Sequence, residues 1–142
     1  PLHDALPISP GQGAIAIELR EGDERTHDAV GPVNERVTWE AVTAERALVA
    51  ELGGGCQVPI GALAVADDEC LDLQAVVVSL DGQRAVRARG RGSAADAAGL
   101  GRGVARQLLE GGAGAILEEV RRARGPGPSG GPTHPAGEDE AR

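Results

Sequence analysis

The stretch VPIGALAVADDECLDLQAVVVSLDGQRAVRARGR (58–91) alternates apolar runs with short polar turns, and it decides the fold. Apolar runs of this length, bounded by acidic and glycine-containing turns, are typical of β-strands. The dipeptide Asp81-Gly82 favours a tight hairpin turn between two such strands. We therefore predict three consecutive antiparallel strands, at 58–66, 71–79 and about 83–91.

Helical patterns flank the predicted strands on both sides. Apolar residues recur at steps of three and four residues after Asn34, a suitable helix cap, and continue to about Leu52. Gly53 then supplies the left-handed residue that commonly ends a helix. Two further helices are predicted at about 94–111 and 113–122. This order predicts an α+β fold, in which a small three-stranded antiparallel sheet is covered on one face by about three helices.

A separate apolar run precedes this domain. The sequence GQGAIAIELR (11–20) predicts a glycine-containing turn followed by a short buried strand. Because a lone strand cannot bury both of its faces, we expect an orphan strand that belongs to a sheet of another, missing domain. Residues 1–9 fit no pattern, and the Pro- and Gly-rich tail from 123 to 142 is predicted to be disordered.

Composition limits the classes of function. The chain has 14 basic and 22 acidic residues, a net charge of −8, and Trp39 as its one aromatic residue. A chain with net negative charge and almost no aromatic side chains is poorly suited to binding phosphates or stacking bases, so no nucleic-acid partner is expected. No apolar run approaches the roughly 18 residues of a membrane span, and no signal peptide is recognisable, so we expect no membrane partner and a cytoplasmic location. The cysteines form no CxxC pair and the histidines are not clustered, so no metal site is expected.

The third predicted strand carries a row of arginines. Arg87, Arg89 and Arg91 fall on one side of it because side chains alternate along a strand. A solvated sheet face is the ordinary explanation of such a row. A phosphate or carboxylate site is the alternative, and the sequence leaves both open.

The loop GGGCQVPIG (53–61) is the most unusual feature of the sequence. Cys56 follows three glycines, which leave room beside the thiol, and precedes Pro59, which stiffens the exit. A structural thiol usually lies on a rigid apolar element, so this pattern indicates a thiol presented to a ligand. A small buried hydrophobe or an unreactive surface thiol is the alternative. Because the preceding helix ends in a negative dipole, we predict a weakly activated thiol. Cys70 opens a predicted strand and matches no functional pattern.

Four segments together resemble one enzyme family. They are PGQGAIAIE (10–18), TAERALVAELGGGCQVPIGALA (43–64), DGQ (81–83) and GAGAILEE (112–119). They resemble the C-terminal third of the porphobilinogen deaminase, or hydroxymethylbilane synthase, family. The resemblance runs from Pro10 to about Arg122, and the combination of AER with GGGCQVPIG is its most specific part.

The resemblance implies a function. Enzymes of this family are transferases that join four porphobilinogen molecules head to tail, with loss of ammonia, to make hydroxymethylbilane in tetrapyrrole biosynthesis. They prime the chain with a dipyrromethane cofactor, bound through a thioether to a cysteine that matches Cys56. The other matched positions lie in the cofactor loop (Gly54, Gly55 and Gln57) and, with weaker support, in a cleft-lining turn (Gln12 and Gly13).

The resemblance also divides the chain. Residues 1–9 are an unmatched or non-native start, 10–33 end a first domain and form a hinge, 34–122 are the C-terminal cofactor-attachment domain, and 123–142 are the tail. The family's catalytic aspartate and most substrate-binding basic residues belong to its first two domains. We therefore expect a fragment, with a coding sequence that starts upstream, no catalytic residue of its own and no activity alone. The complete enzyme is expected to be a monomer with porphobilinogen as its substrate.

Two other classes of function stay open. The chain could be a stand-alone, non-catalytic binding domain that keeps only the fold. It could also be a thiol-redox module based on Cys56, although no resolving cysteine lies nearby in the sequence. The tail fits either a plain terminus or a linker to another tetrapyrrole enzyme.

Overall fold

A computed structural model describes residues 9–53 and 58–124 of the chain. In chain order its elements are α1 (Glu24–Val30), α2 (Arg36–Glu51), β1 (Ile60–Asp67), β2 (Cys70–Val78), β3 (Ala85–Ser93), α3 (Ala97–Glu110) and α4 (Ala113–Arg124). Short 3₁₀ turns, Gly31–Val33 and Ala94–Asp96, precede α2 and α3. The predicted α+β fold with three antiparallel strands is confirmed.

The strands form one sheet in the order β1-β2-β3, so β2 is central and β1 and β3 are edges. The register places Ala64 opposite Leu73, and Leu73 opposite Gly90. These residues share the face on which the core lies, and Leu73 is fully buried there. In β2 the polar residues Asp72 and Gln74 alternate with buried leucines, and this alternation fixes which face receives the helices.

Helices α2, α3 and α4 all contribute to the core over this face. Gly90 on β3 lets α3 approach the sheet, since a Cβ at that position would lie 2.7 Å from Val104 Cγ2. Gly101 similarly lets α3 approach α2. The sheet, α2 and α3 therefore form one tightly packed unit, in which the position of α2 is closely defined.

The start of α2 differs from the prediction. Asn34 is not its cap, because α2 begins at Arg36 with Glu35 as the N-cap residue. Asn34 instead ends the preceding 3₁₀ turn and donates its backbone N–H to the Gly31 carbonyl at 3.1 Å. Helix α1 was not predicted, and it buries no residue, so no apolar periodicity marks it. Its cap is Asp23, whose carboxylate accepts the Thr26 N–H at 3.0 Å.

The run at 11–20 makes no strand ladder in the described part of the chain. Residues 11–13 form turns, 15–20 are irregular, and Ile15 is 93% exposed. The predicted orphan strand thus has no partner in this sheet. Ser9 belongs to the same turn, and α4 continues two residues beyond the helix end predicted at 122. Residues 1–8 and most of the predicted disordered tail, 125–142, lie outside the described residues. None of the helices described here is long and apolar enough to cross a membrane.

Candidate cofactor-attachment site

The cysteine loop joins the end of α2 to the start of β1. Its predicted functional residues Gly54, Gly55, Cys56 and Gln57 lie outside the described residues. What the structure defines is the frame on which this loop is mounted.

Backbone hydrogen bonds fix both ends of the loop. On the α2 side, Gly53 adopts φ +63, the left-handed conformation predicted for it, and its N–H donates to the Ala50 carbonyl at 3.0 Å. On the β1 side, the Pro59 carbonyl accepts the Val78 N–H at 3.1 Å, which joins Pro59 to the sheet. The backbone is therefore fixed on each side of residues 54–57.

Arg121 of α4 lies at the carboxyl end of α2. Its Nη2 donates to the Leu52 carbonyl at 3.2 Å, and a Cβ added to Gly53 would lie 3.0 Å from that nitrogen. A cation at this end of a helix opposes the negative end of the helix dipole. Sequence reasoning missed Arg121, because 69 positions separate it from Leu52 and nothing in the sequence pairs them.

Glu45 of α2 connects its own helix to β1 and to the turn at Gly11. Its side chain is buried, with only 6% of the residue exposed. Oε1 accepts the Ala64 N–H of β1 at 2.8 Å, and Oε2 accepts the Gly11 N–H at 2.7 Å. Sequence reasoning missed this residue too, although it stands four positions after Ala41 and three before Leu48, on the apolar stripe of the helix. A charged residue on such a stripe was the available signal.

The predicted cleft-lining residues Gln12 and Gly13 lie in the turn that Glu45 holds. The turn is closed by Gln12 N–H to the Ser9 carbonyl at 3.0 Å, and Gly11 adopts φ +75. With α2 and residues 62–66 of β1 it lines a shallow cavity of about 390 Å³. The structure thus brings Gln12 and Gly13 to the two elements that carry the cysteine loop.

The arginine row faces away from the helices, and two of its members, Arg89 and Arg91, pair with acidic neighbours. Arg89 Nε donates to Asp72 Oδ1 at 2.8 Å and its Nη2 to Oδ2 at 2.5 Å, while Arg91 Nη2 lies 2.6 Å from Asp67 Oδ2. Ion pairs of this kind are ordinary on an exposed sheet face. They favour the solvated-face interpretation over an anion site.

The fold and its loop define a small α+β domain that carries a single cysteine between a helix and an edge strand. The family model described as "Porphobilinogen deaminase, C-terminal domain" matches residues 39–110. The chain therefore belongs to the porphobilinogen deaminase family and contains its C-terminal domain, as the resemblance predicted.

Individual relatives agree with this assignment. The chain is 49% identical over 125 residues to the porphobilinogen deaminase of Moorella thermoacetica, a match that covers 88% of this chain and 40% of the relative. The matching enzyme of Syntrophobacter fumaroxidans is 48% identical over 120 residues, 84% of this chain and 38% of the relative. The enzyme of Roseiflexus castenholzii is 44% identical over 114 residues, a match that covers 80% of this chain and 37% of the relative. The chain thus spans about 40% of the length of these curated relatives.

Proposed function

We propose that this chain is the C-terminal part of a porphobilinogen deaminase and that Cys56 is the attachment point of its dipyrromethane cofactor. The substrate of the complete, monomeric enzyme is porphobilinogen, four molecules of which yield hydroxymethylbilane. The observation that carries the proposal is the loop frame. A glycine-rich sequence with one thiol joins two ends that are fixed by the fold, in a chain 49% identical over 125 residues to a porphobilinogen deaminase.

The residue types of the loop fit a covalently bound pyrrole chain. The sulfur of Cys56 is a soft nucleophile, suited to the electrophilic methylene carbon of a porphobilinogen unit. In that step the bond from this carbon to nitrogen breaks, a carbon–sulfur bond forms, and the departing ammonia carries away the thiol proton. The glycines before Cys56 have no side chains to obstruct a bulky ligand. When bound, the cofactor supplies the primer to which pyrrole units are added.

The position of Cys70 speaks against the thiol-redox alternative. Cys70 pairs with Asp67 at the far end of the β1–β2 hairpin, whereas the loop rejoins the sheet at Ile60. The eight residues of β1 separate these two points by about 23 Å at the usual rise per strand residue. A disulfide requires Cα atoms within about 7 Å of each other. Cys70 is therefore poorly placed to resolve an oxidised thiol in the loop.

The test is a chimeric enzyme in which residues 10–124 replace the matching part of the Moorella thermoacetica relative. Intact-mass measurement should show an adduct of dipyrromethane mass that is lost in Cys56→Ser and kept in Cys70→Ser, the matched control. Porphobilinogen consumption should follow the adduct. A folded chimera with a bare or oxidised Cys56, or an adduct that survives Cys56→Ser, would overturn the proposal.

A further inference from the structure

Glu45 is the one charged side chain that is buried among the residues the structure describes. It makes no ion pair within the described ranges, and both of its carboxylate oxygens accept backbone N–H groups. Burying a carboxylate is costly unless its oxygens accept hydrogen bonds. Apart from Ser79, the other buried residues described here are apolar or glycine, so Glu45 stands out as a candidate for a role beyond packing.

The partners of Glu45 suggest that role. Ala64 lies on β1, an edge strand, so its N–H is available to a side chain rather than to another strand. Gly11 lies in the turn that precedes α1 and is 34 positions away in the sequence. One carboxylate thus joins the helix that enters the cysteine loop, the strand that leaves it, and the turn that carries Gln12 and Gly13.

We propose that Glu45 is a positioning residue, whose carboxylate fixes the Gln12–Gly13 turn to α2 and β1, the two elements that the cysteine loop connects. Charged acceptors form stronger hydrogen bonds than neutral ones, so a single glutamate can hold the turn against the domain. The inference rests on the proposed function, because it gives the turn a fixed place relative to the cofactor and to the substrate beside it. Glu45 acts through the turn and touches no reacting atom.

Amide hydrogen exchange on the 142-residue chain tests the attachment directly, without any assay of activity. In the unmodified chain the Gly11 amide should exchange about tenfold or more slowly than the Gly13 amide of the same turn. Glu45→Gln keeps the side-chain shape but can accept only one of the two N–H groups, so protection of Gly11 or Ala64 should fall by about tenfold. Glu110→Gln, the same change at an exposed site on α3, should alter neither.

The chimeric enzyme described above tests the positioning role. With rates expressed per adduct-bearing molecule, Glu45→Gln should raise the KM for porphobilinogen about fivefold or more, while the mass of the adduct stays the same. A merely structural role would lower the yield of folded enzyme and leave that KM unchanged.

The outcomes separate the two proposals. Equal exchange of Gly11 and Gly13 in the unmodified chain overturns the attachment even if no Glu45 variant folds. An unchanged KM with a full adduct overturns the positioning role alone. A parent chimera without adduct overturns the proposed function, and the exchange data then still decide whether Glu45 holds the turn.

Discussion

Gly101 and Gly103 stand two residues apart on α3, and the same substitution should have opposite effects on them. A Cβ at position 101 would lie 2.2 Å from the Ala44 carbonyl oxygen and 3.0 Å from the Leu48 nitrogen, both backbone atoms of α2. At Gly103 a Cβ would meet nothing within 4 Å. Gly101→Ala must therefore push α2 and α3 apart, whereas Gly103→Ala adds a methyl group in open space.

Both changes gain the higher helix propensity of alanine, but only Gly101→Ala adds the cost of overpacking. Alanine is better than glycine in a helix interior by about 1 kcal/mol at either position. Overpacking a core costs about 1–3 kcal/mol, and backbone atoms that cannot rotate away place Gly101 at the upper end of this range. We expect Gly101→Ala to lower the free energy of unfolding by about 2 kcal/mol and Gly103→Ala to raise it by up to about 1 kcal/mol.

Urea unfolding followed by far-UV circular dichroism measures both variants beside the parent chain. The loss at Gly101 corresponds to a fall in melting temperature of about 10 °C for a domain of this size. Equal slopes of unfolding free energy against urea would show that the variants and the parent chain expose the same amount of surface on unfolding. If Gly101→Ala were as stable as Gly103→Ala, the close approach of α2 and α3 described here would be wrong.

Two further predictions concern charge. Arg121→Gln removes the cation at the end of α2 and should slow alkylation of Cys56 at neutral pH about two- to fivefold. Arg122→Gln on the same helix is the control and should leave the alkylation rate unchanged. Equal rates in the two variants would contradict the prediction. Hydrogen bonds from Ser79 and Gln83 hold the pKa of Asp81 below its ordinary value of 3.8. The ionised form therefore stabilises the hairpin above pH 3.8, and this contribution disappears as the pH falls through the lower, folded-state pKa. Asp81→Asn should thus be less stable than the parent chain at neutral pH, and thermal melts should converge on acidification.

The sheet could be predicted because its signals are local. Apolar runs in β1 and β2, and a glycine at the β2–β3 turn, express strand and hairpin preferences within a few residues. The left-handed Gly53 is equally local. Helix α1 could not be found in this way because it packs nothing into the core and is held by its own Asp23 cap. The apolar stripe marks the part of a helix that is buried, so it does not locate the capping residue, and the predicted cap, Asn34, was wrong by one position.

The frame of the site was harder to predict than the loop itself. Cys56 stands out because glycines and a proline surround it in sequence. Glu45 and Arg121 act on partners that are 19 to 69 positions away, and such contacts leave no short-range pattern. The reason is physical: a hydrogen bond to a backbone group places no requirement on the identity of the residue that provides that group.

Helix α2 receives three contacts that define where the cysteine loop begins. Gly101 packs on it at Ala44, Glu45 joins it to β1 and to the Gly11 turn, and Arg121 holds its last carbonyl. All three lie outside 54–57, so the end of α2 is fixed by packing and charge that do not depend on the glycines of the loop. Under the proposed function, Cys56 carries a pyrrole chain that grows by one unit at a time. A fixed helix end would then keep the origin of that chain in place relative to the Gln12–Gly13 turn while the chain lengthens.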